Sequence, residues 1–311
     1  MIASPSRAAP IRNAPIRNSV VALRAQIPQD AYTSELLGMR REGSGVVIRD
    51  DGLVLTVGYL ITEADEVWLT RHDGRVVPGH ALAFDQETGF GLVQALGPLD
   101  LPALPFGDSG AAKVGSAIRL IDGAGDTAEG KIIARQEFAG YWEYLLDDAI
   151  FISPAHDSWG GAALVDDKGA LLGIGSLRLQ MAQGDDVSDI NMVVPVDLLK
   201  PVLDDLVRRG GVQKPPRPWL GAFAGEHNGN VVVMSVADGS PADQAGLRSG
   251  DVISDLRDKH VQSLAEFYRT LWTSGPPGSE FPLRVLREGR ETWLRVRSGN
   301  RAEVLRKPQL Q

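Results

Sequence analysis

One short stretch of the sequence brings together three residue types that can perform acyl transfer. His156, Asp157 and Ser158 are consecutive and stand before Trp159 and a pair of glycines in the run AHDSWGGAAL. A serine hydroxyl becomes a useful nucleophile when a neighbouring base accepts its proton. Consecutive residues on a turn rarely point at one another, so the spacing disfavours a triad built from these neighbours alone.

The elements that must position these residues are predicted to be short β-strands. From about residue 19 to residue 212, β-type runs alternate with turn signals. Two of them, SGVVIRDDGLVLT and EVWLTRHDGRVVPG, predict hairpins around Asp51-Gly52 and Asp73-Gly74. Many short strands at this spacing predict an antiparallel barrel or sandwich.

A helical segment and a linker follow the β-rich region. In VPVDLLKPVLDDLVRRGG the apolar residues fall at helical spacing, and Gly210-Gly211 predicts the end of the helix. The proline-rich, basic run VQKPPRP after it predicts a domain boundary. The remaining chain predicts a small domain with helices opened by Ser240 and Ser263 and a final hairpin around Glu288-Gly289.

Composition argues against several classes of function. The 311 residues include no cysteine, which rules out a disulfide scaffold, a thiolate zinc site and a cysteine nucleophile. A net charge of -8 without a dense Lys/Arg cluster argues against nucleic acid as a partner. No apolar run approaches the ~18 residues of a membrane-spanning helix. We expect no metal, no cofactor and no membrane span.

The N-terminal segment is basic and proline-rich, and it contains the repeat APIRN twice. This composition predicts a disordered tail over residues 1–19. The segment has no apolar stretch long enough for a secretory signal. We therefore expect either a cytoplasmic protein or a sequence that represents a mature or trimmed form.

Six segments in order resemble the HtrA/Deg family, in which a chymotrypsin-like double β-barrel precedes an α/β PDZ domain. They are GSGVVIRDDGLVLT, ALAFDQETGFGLVQ, LPALPFGDSGAAKVGSAIRLI, SPAHDSWGGAALVDDKGALLGI, NMVVPVDLL, and WLGAF with GSPADQAGLRSGDVI. The resemblance implies a mainly β fold. It divides the chain into a tail (1–19), a protease-like domain (20–213), a PDZ domain (214–300) and a C-terminal tail (301–311).

The resemblance also implies a Ser/His/Asp triad for peptide hydrolysis, from which this sequence departs. The family's histidine follows LTNA, whereas here LTVG is followed by Tyr59. The family's aspartate follows the threonine of TDLAV, whereas here Thr88 is followed by Gly89. In place of GNSGGPL the chain has DSWGGAAL, so Ser158 is the candidate remnant nucleophile and Trp159 is inserted before the glycines. A tyrosine with a pKa near ~10 is a poor base at neutral pH.

The PDZ-like module implies a groove that binds a peptide as an added strand and holds its terminal carboxylate with backbone N–H groups. The loop candidates are Leu220, Gly221, Ala222 and Phe223, and the facing helix supplies Phe267 and Leu271. A competing interpretation is that these residues are core and that the protein's own first domain occupies the groove.

These residues predict an HtrA-like pseudoprotease of bacterial protein quality control, acting as an adaptor, sensor or chaperone-like binder. Its expected partners are polypeptide segments or protein C-termini. One alternative is an active serine endopeptidase that uses Ser158 with a non-standard base such as His156. Another is a scaffold for assembly, because relatives form trimers. Family analogy implies the periplasm.

Overall fold

The computed structural model describes residues 16–183 and 186–306. Strands make up 46% of the structure and helices 14%, so the fold is mainly β. Residues 1–15 of the predicted N-terminal tail lie outside the described residues. The remaining tail residues, Ile16–Ser19, form one turn of 3-10 helix ahead of the first strand.

Six antiparallel strands close into a first barrel. They are β1 (Val20–Gln26), β2 (Arg40–Val47), β3 (Leu53–Val57), β4 (Glu66–Thr70), β5 (Val76–Phe84) and β6 (Phe90–Ala95). The order around the barrel is β1-β2-β3-β6-β5-β4. A short helix, α1 (Ser34–Leu37), connects the first two strands. Asp51-Gly52 joins β2 to β3 and Asp73-Gly74 joins β4 to β5, so the structure has both predicted hairpins.

Six further strands form a second closed barrel. They are β7 (Ala117–Ile121), β8 (Thr127–Gly140), β9 (Tyr144–Ser153), β10 (Ala163–Val165), β11 (Leu171–Gln183) and β12 (Asp186–Pro195). Their order is β10-β11-β12-β9-β8-β7. Strand β8 has 14 residues and pairs with β9 up to Gly140 and Tyr144, which makes a long hairpin with a tip at residues 141–143. Apolar side chains from both barrels form one shared cluster, and further side chains of the second barrel form a separate one.

The C-terminal module is a sheet packed against helices. Its strands are β13 (Ala222–His227), β14 (Asn230–Val236), β15 (Val252–Leu256), β16 (Lys259–His260), β17 (Glu280–Arg287) and β18 (Arg290–Arg297). The order is β13-β14-β15-β17-β18, with β16 paired to β15. The helices outside the first barrel are α2 (Leu203–Arg209) before the linker, then α3 (Pro241–Gln244), α4 (Leu264–Thr273) and α5 (Arg301–Val304).

The helix boundaries have local causes that the sequence predicts. Ser240 Oγ accepts a hydrogen bond from the Asp243 N–H at 3.3 Å, and Ser263 Oγ accepts one from the Glu266 N–H at 3.1 Å. Each serine therefore satisfies a free N–H of a first helical turn. Gly210 ends α2 in a left-handed conformation, as expected for a residue after a helix C-terminus.

The C-terminal module docks on both barrels. The rings of Tyr32 and Trp219 meet edge to face, with centroids 5.9 Å apart. Beyond the module, the Arg306 N–H donates to Glu63 Oε1 in the first barrel at 3.0 Å. Residues 301–306 of the predicted C-terminal tail are thus folded against the protein, and residues 307–311 lie outside the described residues. Among the described residues, no helix has the length and apolarity needed to cross a membrane.

Candidate functional site

The cleft between the two barrels is bridged by Tyr59. This residue lies on a turn of 3-10 helix, Gly58–Leu60, directly after β3. Its hydroxyl donates a hydrogen bond of 2.9 Å to the Ser176 carbonyl oxygen on β11 of the second barrel. A Cβ placed on Gly160 would lie 2.9 Å from the same hydroxyl, so the phenol fills the space in front of the glycine pair.

A buried arginine fixes the turn that carries Tyr59. Arg41 is 4% exposed, and its Nη1 donates to the Tyr59 carbonyl oxygen at 2.7 Å and to the Thr62 carbonyl oxygen at 3.0 Å. Burial raises the pKa of Tyr59 to about 12, while the nearby Trp159 side chain acts in the opposite direction. At neutral pH the residue is therefore a neutral hydrogen-bond donor that cannot accept a proton from a serine.

The Gly89 turn between β5 and β6 has no room for a side chain. Gly89 has φ +80°, and a Cβ there would lie 2.8 Å from the Tyr144 hydroxyl oxygen. That hydroxyl donates to the Thr88 carbonyl oxygen at 2.7 Å. The Asp85 carboxylate, just upstream, accepts hydrogen bonds from both the N–H and the hydroxyl of Thr88. Tyr144 thus occupies the space beside position 89.

Ser158 and His156 contact each other through the serine backbone. The Ser158 N–H donates to His156 Nδ1 at 3.0 Å, whereas the Ser158 side chain is exposed. The other ring nitrogen, Nε2, lies 3.9 Å from the buried Asp122 carboxylate. Within residues 16–183 and 186–306, no imidazole hydrogen-bonds to the Ser158 hydroxyl. The Trp159 side chain is close enough to Tyr59 to affect the pKa of its hydroxyl.

The sequence predicts no role for Tyr144, and it places Trp159 only as an insertion before the glycine pair. Tyr144 lies 56 residues from Thr88, and no local pattern connects them. The position of Trp159 directly before Gly160 and Gly161 is a sequence signal that could have identified it as a site residue. No group of three or more metal-binding side chains occurs in the part of the chain that the structure describes.

The carboxylate-binding loop of the C-terminal module is built around Gly221. This residue has φ +77°, and a Cβ there would lie 2.4 Å from the Ser240 Cβ, so only glycine fits. The candidate residues Leu220 and Ala222 on either side are buried, with 1% and 4% exposure. Because the side chains point into the module, the loop presents backbone N–H groups.

These N–H groups already hold a carboxylate of the same chain. Glu143, at the tip of the β8–β9 hairpin, accepts hydrogen bonds at Oε1 from Gly221 N–H at 2.8 Å and Leu220 N–H at 3.1 Å. Burial raises the pKa of Glu143 to about 7, and the loop N–H groups and nearby Arg301 limit the rise. Glu143 lies 78 residues from Gly221 in sequence.

The groove beyond the loop contains the rest of the hairpin tip. The Ala224 N–H on β13 donates to the Tyr141 carbonyl oxygen at 3.1 Å, and the Tyr141 and Phe223 rings are 6.2 Å apart. From α4, the Tyr268 hydroxyl donates to the Gly140 carbonyl oxygen at 2.9 Å. The two other helix candidates, Phe267 and Leu271, are buried in the module's core. Of the interpretations drawn from sequence, self-occupancy describes the groove in this structure.

Comparison with known proteins agrees with this architecture. Residues 43–174 match the family model of the trypsin-like peptidase domain, and residues 218–297 match that of the PDZ domain. The fold class expected from the resemblance is therefore confirmed.

Curated relatives carry protease names. The chain is 23% identical over 293 residues to "Serine protease Do-like HtrA" of Bacillus subtilis, covering 84% of this chain and 64% of the relative. It is 28% identical over 270 residues to "Periplasmic serine endoprotease DegP" of Escherichia coli, covering 80% and 55%. The chain thus spans less than two thirds of the length of these relatives.

Solved structures share the fold. One titled "HtrA-type protease AlgW with tripeptide" has a TM-score of 0.53 and 23% identity, with coverage of 94% of this chain and 95% of that chain. A serine endoprotease from Yersinia pestis has a TM-score of 0.51 and 22% identity, with coverage of 91% and 94%. With both domain models matched in this order, the chain carries a trypsin-like peptidase domain followed by a PDZ domain, and it is similar in sequence and fold to HtrA-type proteases.

Proposed function

We propose that this protein is an HtrA-like pseudoprotease that binds polypeptide segments or protein C-termini through its PDZ domain. The observation that carries the proposal is the Tyr59 hydroxyl, which donates to the Ser176 carbonyl oxygen in the cleft where the family has its catalytic base. A binding role in protein quality control, as an adaptor, sensor or chaperone-like protein, follows from a closed cleft beside an intact PDZ fold.

The size of the catalytic loss supports this proposal. Removing the triad histidine of a serine protease lowers turnover by a factor on the order of 10⁶. Gly89 adds a second loss, because it has no carboxylate to orient an imidazole. The Tyr144 hydroxyl fills the space where such a carboxylate would lie.

The sequence around the nucleophile position also supports the pseudoprotease proposal. In the family motif GNSGGPL the serine directly precedes the two glycines, and the residue directly before Gly160 here is Trp159. When the two glycines are aligned with those of the motif, Trp159 takes the position of the nucleophilic serine and Ser158 takes the position of the asparagine. The proximity of the Trp159 side chain to Tyr59 supports this register over an insertion.

The binding role rests on the chemistry of the Leu220–Ala222 loop. Its N–H groups hold the Glu143 carboxylate at 2.8 and 3.1 Å, so the loop is competent to bind a carboxylate. The AlgW protease, whose structure was solved with a tripeptide, supports short peptides as the ligand class.

Two assays test the catalytic half of the proposal. Purified protein incubated with unfolded casein is expected to release no fragments, while an active HtrA-type protease run in parallel does. A fluorophosphonate probe is expected to leave Ser158 unlabelled in the folded protein. Cleavage that is abolished by Ser158→Ala, with contaminating protease excluded, would overturn the pseudoprotease assignment.

One observation favours a second candidate, an active serine endopeptidase that uses Ser158 with His156 as a non-standard base. His156 has its Nε2 near the Asp122 carboxylate, as an oriented catalytic imidazole would. Against it, the lone pair of Nδ1 is engaged by the Ser158 N–H. This candidate predicts probe labelling that is lost in both Ser158→Ala and His156→Ala.

A further inference from the structure

The tip of the β8–β9 hairpin has the three contacts that a PDZ ligand needs. We call residues 140–143 the internal ligand. Ala224 N–H bonds to its backbone at Tyr141, extending the edge of β13 as an added strand does. Its carboxylate, that of Glu143, lies in the Leu220–Gly221 loop. Its backbone also contacts the facing helix through Tyr268.

The residues that join the internal ligand to the PDZ domain are buried, unlike those of a loose surface contact between domains. Glu143 is 5% exposed and Tyr268 is fully buried, with the Tyr268 hydroxyl accepting from the Glu143 N–H at 3.2 Å. Ala139 and Leu145, which flank the internal ligand, pack against the PDZ core. Arg301 on α5 donates to the Trp142 carbonyl oxygen at 3.1 Å. The PDZ domain therefore surrounds the internal ligand on several sides.

The backbone of the hairpin is shaped for this role. Glu143 has φ +58°, an uncommon conformation for a residue with a side chain. The turn thereby directs a side-chain carboxylate toward N–H groups that, in a PDZ domain, take the carboxylate of a chain terminus. A glutamate can supply this group from within a continuous chain, which has no free terminus at that point.

We propose that the internal ligand keeps the PDZ groove closed, and that a partner with a free C-terminal carboxylate binds only by displacing Glu143. This inference rests on the proposed peptide-binding function and adds its regulation. The two carboxylates compete for the same N–H groups of Leu220 and Gly221. The apparent affinity for a partner is then reduced by the fraction of molecules in which the internal ligand is released.

The test compares the full-length protein with three variants. Glu143→Ala removes the competing carboxylate, and Glu143→Gln keeps its shape without its charge. Glu129→Gln is the matched control, because Glu129 lies on the same strand β8 but is exposed. The probes are a fluorescent pool of short randomised peptides with a free C-terminal carboxylate and the same pool with an amidated C-terminus. Hydrogen exchange of residues 220–224 is measured without peptide.

The inference predicts that Glu143→Ala binds the free-carboxylate pool about tenfold or more tightly than wild type. Exchange at residues 220–224 is expected to be faster in that variant, while β11 and β12 keep their protection and so show that the barrels remain folded. Glu143→Gln should have an affinity and an exchange rate between those of wild type and Glu143→Ala. Glu129→Gln should match wild type in both. The amidated pool should bind no variant better than wild type.

Equal affinity in wild type and Glu143→Ala, or unchanged exchange at residues 220–224, overturns the inference and leaves the proposed function standing. Failure of the free-carboxylate pool to bind any variant overturns the proposed function instead. In that case the exchange rates alone decide whether Glu143 closes the groove.

Discussion

The Tyr144 hydroxyl donates a 2.7 Å hydrogen bond to the Thr88 carbonyl oxygen, one residue before Gly89. Tyr144 directly follows Glu143, which binds the Leu220–Gly221 loop of the PDZ domain. Adjacent residues of one hairpin therefore contact the Gly89 turn of the first barrel and the Leu220–Gly221 loop of the PDZ domain. Because the two residues are consecutive, movement of Glu143 out of the groove would also move Tyr144, which contacts the Gly89 turn.

We expect Gly89→Ala to destabilise the protein more than Gly74→Ala does. Both glycines have a left-handed backbone, with φ of +80° and +83°, so both substitutions carry the same strain of about 1–2 kcal/mol. A Cβ at position 74 meets nothing within 4 Å, whereas one at position 89 lies 2.8 Å from the Tyr144 hydroxyl. That contact should add about 1–3 kcal/mol.

Urea unfolding of the two variants measures this difference, with wild type as the reference. Equal destabilisation would mean that Tyr144 moves aside without cost, and the space beside position 89 would then be free for a side chain.

Tyr59→His is expected to give no proteolytic activity. The substitution introduces an imidazole, but Gly89 supplies no carboxylate to orient it and Trp159 directly precedes the glycines. It also removes the hydrogen bond to the Ser176 carbonyl oxygen, for a loss of about 1 kcal/mol. Casein hydrolysis and thermal unfolding check the two effects, with Tyr59→Phe as the control that loses the same hydrogen bond. Robust turnover in Tyr59→His would contradict the assignment of position 159.

The stability that Glu143 contributes should fall as the pH rises. Its pKa is about 7 in the folded protein against an ordinary value of 4.5, so the folded state favours the protonated form. The contribution is therefore fully present below pH 4.5 and is lost as the pH rises through about 7, a change on the order of 3 kcal/mol. Arg301, Tyr32 and Tyr268 also face this carboxyl.

Unfolding free energies of wild type and Glu143→Gln at a series of pH values give this contribution as their difference. Tyr32 and Tyr268 have raised pKa values and stay neutral between pH 4.5 and 7, so the difference reports the titration of Glu143. A difference that stays constant across this pH range would show that Glu143 keeps its ordinary pKa.

Tyr268→Phe is expected to loosen the docking of the PDZ domain on the hairpin. The hydroxyl bonds to both the Gly140 carbonyl oxygen and the Glu143 N–H, and both groups lose this bond in the variant. The loss should be about 1–3 kcal/mol because these groups are buried. Hydrogen exchange in residues 139–145 measures it. Tyr141→Phe, whose parent ring is 41% exposed, should leave exchange unchanged.

Local features of the fold could be predicted from the sequence because their causes are local. Asp51-Gly52 and Asp73-Gly74 sit at hairpin turns, and Ser240 and Ser263 cap helices through hydrogen bonds to residues three positions away. Turn and capping preferences depend on a few neighbouring residues. The order of the quoted segments then indicated the two-domain architecture.

The contents of the groove and of the cleft could not be predicted in the same way. Glu143 contacts a loop 78 residues away, and Tyr144 contacts a turn 56 residues away. No periodicity or spacing links such pairs, since they meet only through the docking of domains and the closure of barrels. Tyr59 and Gly89 were identified as departures from a family motif, but their partners Ser176 and Tyr144 required the three-dimensional structure.

The contact between Gly89 and Tyr144 makes substitutions at these two positions depend on each other. An aspartate at position 89 would need a left-handed backbone and would collide with Tyr144, so it fits only after residue 144 has become smaller. Tyr144 is 4% exposed and belongs to the core, so a smaller residue at position 144 leaves a cavity and lowers stability. Either substitution alone therefore lowers stability, and a side chain at position 89 requires a matching change at position 144.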